Sequence, residues 1–147
     1  MIIIWLILVA VAGMLLLAVI EGRGKGMTFA KMTAPGHRGR PVDKELVQQR
    51  WTTIMQMSET GGPGLKNSVI EADKLLDHVL KQRGYAGATM ADRLRRAEKR
   101  FTKINNVWSA HKLRNSLAHE VGFDLVPSQV KSALHDYERG LKDLGAL

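Results

Sequence analysis

The chain has 147 residues, no cysteine, and 22 Lys and Arg against 14 Asp and Glu, for a formal net charge of +8. That length leaves room for one domain of ordinary size. The lack of cysteine excludes disulfide frameworks, thiolate metal sites, thiol nucleophiles and redox motifs, and agrees with a reducing compartment. The surplus of cations points to anionic partners, nucleic acid or lipid headgroups.

Residues 1 to 20, MIIIWLILVAVAGMLLLAVI, carry no charge. At about 1.5 Å per residue a helix of that length spans the roughly 30 Å hydrocarbon core of a bilayer. The stretch predicts an uncleaved, single-pass transmembrane anchor in contact with membrane lipid. A cleaved secretory signal would need a basic n-region and small residues before the cut. Neither is there, since no Lys or Arg precedes the run and it closes on Leu17-Ala18-Val19-Ile20. Arg23, Lys25, Lys31, Arg38 and Arg40 follow the span, so the positive-inside rule puts the N-terminus outside the cell membrane and the C-terminal portion in the cytoplasm. Residues 21 to 41, rich in Gly and Pro with five cations and one acid, read as a linker.

From residue 42 the chain reads as helices. Asp43 is placed to cap one that carries Leu46, Val47, Trp51, Ile54, Met55 and Ser58 at helical spacing, stopped by Gly61-Gly62-Pro63-Gly64. A second runs from about Leu65 to Arg83 with Leu65, Val69, Ala72, Leu76, Val79 and Leu80 as its core stripe and Gly84 as C-terminal cap. Its polar face holds Glu71, Asp73, Lys74, Asp77, His78 and Lys81. Thr89 and Asp92 form a variant capping box for a third, with Met90, Leu94, Ala97 and Phe101 inward and Arg93, Arg95, Arg96, Lys99 and Arg100 on the remaining surface. Asn105-Asn106 is placed to cap a fourth, ending near Gly122. Pro127 opens a fifth, whose Val130, Leu134, Tyr137, Leu141 and Leu144 share a face. With no strand alternation, the fold expected is all-α: an N-terminal transmembrane helix followed by a four- to five-helix up-and-down bundle over residues 42 to 147.

Two tempting motifs fail. The glycine cluster at 61 to 64 lacks the Gly-Lys-Ser/Thr and the preceding strand of a phosphate loop. His119-Glu120 begins a zincin motif, but Phe123 stands where the second zinc ligand belongs. His37, His78, His111 and His135 have no metal-specifying spacing. The cations from Arg93 to Arg100 suit a nucleic-acid backbone or simply a solvated face, interrupted by Glu98.

The densest chemistry lies between His111 and Glu120 on the fourth helix. At 100° per residue Ala110, Leu113, Leu117 and Val121 form an apolar strip. His111, Arg114, Asn115, Ala118 and His119 form the strip beside it. Structural roles account for these groups if Arg114 pairs with Asp73 or Asp77 across the bundle and His119 complements the dipole at the helix C-terminus.

Arg114-Asn115, then three residues, then His119, on the penultimate helix of a small helical bundle, resembles the signature of the HEPN superfamily, and the resemblance covers residues 42 to 147. The chain also resembles membrane-anchored proteins of small-genome bacteria, although the anchor is not part of the common HEPN pattern. Many HEPN proteins are metal-independent ribonucleases that act as dimers, and others bind without cutting. The resemblance therefore implies a cytoplasmic, membrane-anchored homodimer that uses no cofactor or metal. It implies two alternatives for function: an endoribonuclease, or a non-catalytic, membrane-tethered interaction and dimerisation module with an unnamed protein partner. In the nuclease His119 transfers protons, Arg114 clamps the phosphoryl oxygens, Asn115 orients the imidazole, and His111 and Lys112 contact the RNA.

Overall fold

The computed structural model describes residues 39 to 119 and 125 to 147. Among these residues the chain is all-helical, with five α-helices, one 3-10 turn and no strand. No helix among them is long and apolar enough to cross a membrane. The expected anchor at residues 1 to 20 and most of the expected linker lie outside the described residues.

Helix α1 (Lys44–Ser58) starts where its cap dictates: Asp43 Oδ1 accepts from the Leu46 amide at 3.0 Å. It buries Val47, Trp51 and Ile54 against α2 (Gly62–Gln82). Met55, expected on that stripe, is 40% exposed, because among the described residues α1 is covered mainly on the side that faces α2. The second helix begins at Gly62 rather than near Leu65. A first-turn amide has no intrahelical acceptor, so Pro63 loses nothing there and the Gly-Pro-Gly run becomes the opening turn of α2.

Helix α2 is the hub and touches α1 and the three helices that follow it. Its buried residues, Ser68, Val69, Ala72, Asp73, Leu75, Leu76, Val79 and Leu80, form a stripe wide enough to serve neighbours on two sides. Burying each of its three leucines contributes about 1.5–3 kcal/mol. The helix ends at Gly84, whose φ of 83° turns the chain while the Tyr85 amide reaches back to Leu80 O at 3.0 Å.

Helix α3 (Met90–Ala97) carries the expected capping box in full, Thr89 and Asp92 each bonding the other's backbone. It is shorter than its apolar spacing suggested: after Ala97 the chain tightens into a 3-10 turn, Glu98–Arg100, and Phe101 is extended yet buried. Arg93, expected on the surface, is only 6% exposed. It falls between Met90, Leu94 and Ala97 on the inward face, where Asp77 receives its Nε at 2.6 Å and Gly87 O its Nη1 at 2.5 Å. Burial pushes the Asp77 carboxyl up, but hydrogen bonds and charge from Arg93 and Lys81 outweigh it and hold the group below the ordinary 3.8.

Helices α4 (Ile104–His119) and α5 (Pro127–Asp143) complete the bundle. Pro127 opens α5 as expected, and Val130, Leu134, Tyr137, Leu141 and Leu144 are all buried. The end of α5 is fastened to that of α2, with Arg83 Nη2 donating to Leu144 O at 2.5 Å. Gly140 packs closely on Phe101, and a Cβ there, 3.3 Å from the ring, would require the ring to give by a few tenths of an ångström.

Candidate functional site

Helix α4 starts one residue before the asparagines expected to cap it. Lys103 O takes the amides of Asn106 and Val107, and the Asn106 side chain crosses to Asp136 Oδ1 on α5 at 3.0 Å. Thr102, just upstream, bonds Asp143 Oδ2 through both its amide and its hydroxyl. Two tertiary ties to α5 thus set the start of α4.

About two turns into α4 the buried side faces Asp73, which α2 presents to both α4 and α5 at only 4% exposure. Asp73 Oδ1 receives the Tyr137 hydroxyl at 2.9 Å and stands 2.7 Å from His111 Nδ1. With the His111 ring proton on Nδ1, one carboxylate oxygen accepts from both. Arg114 Nε lies 3.3 Å from Asp73 Oδ2 as an ion pair, although its N–H is not aimed for a hydrogen bond. Burial, and then the Asp73 charge, raise the Tyr137 phenol well above its ordinary 10.0. The Trp108 and His111 rings meet edge-to-face, their centroids 6.0 Å apart.

Of the residues the sequence singled out, His111 and Arg114 converge on Asp73. Asn115 turns to Arg114, its Oδ1 accepting Nη1 at 3.1 Å, so it orients the guanidinium and not the imidazole of His119. Lys112 and His119 are exposed, and His119, in the last described turn of α4, forms no hydrogen bond or ion pair among the described residues. Arg114 and His119 therefore share a helix without sharing a partner. The apolar strip holds where it is described: Ala110 and Leu117 are buried and Leu113 half-buried, while Glu120, Val121, Gly122 and Phe123 lie outside the described residues.

Asp73 and Tyr137 complete the cluster, and neither stood out as a site residue. Asp73 follows Val69 by four residues and precedes Leu76 by three, so it belongs to the core stripe by position and to the polar face only by residue type. That conflict was the available signal. No group of three His, Cys, Asp or Glu among the described residues could hold a metal ion. The chain matches no family model, no curated protein and no solved structure.

Proposed function

We propose that residues 42 to 147 are a HEPN-like domain, tethered to the cell membrane by residues 1 to 20 with its bundle in the cytoplasm, that cleaves RNA without a metal as a two-fold dimer. The observation that carries this reading is the division of labour on α4. Arg114 is held by Asp73 and Asn115, whereas His119 is exposed and forms no hydrogen bond or ion pair among the described residues. A braced guanidinium can bind a phosphoryl group with little loss of freedom, and a free imidazole can take up or give a proton.

Cleavage by the 2′-hydroxyl of RNA needs a base for that hydroxyl and an acid for the leaving oxygen. Within one chain the other imidazole of the motif is His111, already engaged by Asp73 and about 12 Å away along the helix axis. That separation is too long for two groups acting on one phosphate. A two-fold axis beside α4 would bring a second His119 and Arg114 to the same phosphate and so supply both acid and base.

The Asp73–Arg114 pair also favours the second reading, a tethered dimerisation module in which Arg114 only braces α2 against α4. The two are separated with the full chain in detergent micelles, a single-stranded RNA and a chelator of divalent metals. The nuclease reading expects cleavage that His119→Ala abolishes while circular dichroism and dimer mass stay unchanged. An inert parent protein, together with loss of helix on Arg114→Ala, would establish the brace and refute the nuclease.

A further inference from the structure

The loop between α2 and α3 is fastened by three arginines. Arg93 Nη1 donates to Gly87 O, Arg96 Nη1 to Ala86 O and Arg100 Nε to the Tyr85 hydroxyl. Arg93 is buried against Asp77, and Arg96 and Arg100 each hold a group of the loop. Lys99 and Lys103 have no such bond, and Lys99, Arg100 and Lys103 are all exposed and form no ion pair among the described residues. Elsewhere Lys74, Lys81 and Lys142 each pair with an acid on their own helix, while Lys44, Arg50, Lys66, Lys112 and Lys131 are exposed without an ion pair among the described residues, so it is density that sets the patch apart. Residues 95 to 103 hold five cations and a single acid, Glu98.

This patch lies where the chain enters the bundle. Gly39 packs so closely on the Arg83 backbone that a Cβ would collide with its carbonyl carbon. Gly39 and Arg100 line one cleft of about 340 Å³. Phe101, within the run, is buried, and Tyr85 beside it is half-buried with its hydroxyl held by Arg100 Nε, so what the patch chiefly presents is charge. Exposed cations suit phosphate headgroups, whose recognition needs only charge.

We infer that this end of the bundle, through Lys99, Arg100 and Lys103 with Arg95 beside them, docks on the anionic headgroups of the bilayer that carries the chain. The inference rests on the anchor assigned to residues 1 to 20. Each cation near an anionic surface strengthens docking about fivefold, so neutralising three weakens it about a hundredfold.

The test uses the full chain in vesicles of phosphatidylcholine alone, or of two parts phosphatidylcholine to one part phosphatidylglycerol. A donor fluorophore is placed on Ala86→Cys beside the patch or on Ser128→Cys, about 22 Å away at the other end of α5, with an acceptor on the headgroups. Transfer from position 86 is expected to rise in the anionic vesicles, to fall back in high salt, and to drop to the neutral-vesicle level in Lys99→Gln/Arg100→Gln/Lys103→Gln. Position 128 should respond to none of these changes. Equal transfer in both vesicle types, or a triple variant indistinguishable from the parent, overturns the inference. So does single-stranded RNA binding that the triple variant loses while the lipid signal stays flat, which would make the patch a nucleic-acid surface. Failure of the chain to stay with neutral vesicles after alkaline washing would refute the anchor instead. Pelleting of that chain with anionic vesicles, and its loss in the triple variant, would then decide the patch alone.

Discussion

Asp73→Ala should be among the most damaging single substitutions in the bundle, and its cost can be worked from the contacts. The substitution removes the acceptor of the Tyr137 hydroxyl, on a fully buried residue, and of His111 Nδ1, on a residue 9% exposed. Each donor left unsatisfied in the interior costs about 1–3 kcal/mol. It also strips Arg114 of its counter-charge, but that side chain is 26% exposed and regains some water by rotating, so only part of a buried-pair penalty applies. The sum is about 3–5 kcal/mol against a total stability on the order of 5–15 kcal/mol. For a bundle of this size the thermal midpoint should fall by about 15–25 °C. Circular dichroism of the full chain in micelles measures it. The companion is Arg114→Met, which removes the orphaned charge: the double variant should lose less than the sum of the singles, because one network is broken only once. A shift under about 4 °C for Asp73→Ala, or additive losses in the double variant, would refute the view that Asp73 joins α2 to α4 and α5.

Two titrations test the half-buried Asp77 and the buried Tyr137. The folded Asp77 carboxyl sits below its ordinary 3.8, so the stability it contributes is present above that value and is lost as pH falls through the lower folded one. The urea midpoint of the parent should therefore exceed that of Arg93→Gln at neutral pH, and the gap should narrow below about pH 4. A gap that stays constant into acid would assign the Arg93 effect to its Gly87 bond alone. Tyr137 is raised in the folded state, so its contribution is complete below the ordinary 10.0 and is lost as pH rises through the folded value. The phenolate absorbance that Tyr137→Phe removes should then appear only on alkaline unfolding. Two phenolates in a chain that keeps its helical signal would contradict the burial.

Much of the bundle follows from residues within one turn of each other. Asp43 capping Leu46, the Thr89–Asp92 box, Pro127 opening α5 and Gly84 closing α2 are all set by chemistry spanning a few positions, and so the sequence declared them. The core stripes of α2 and α5 were equally plain, because burying leucine and valine is favourable whichever helix covers them. Burial of a charge is different, since it is tolerated only where a partner arrives, and the partners here come from far along the chain. Asp73 meets His111 and Tyr137 across 38 and 64 residues, and Arg93 meets Asp77 across 16. No local period carries that information. The sequence therefore held every member of the α4 motif and even offered Asp73 or Asp77 as the partner of Arg114. Only the packing of α2 against α4 and α5 decided that Asp73 takes it, that Asn115 serves the guanidinium, and that His119 is left exposed.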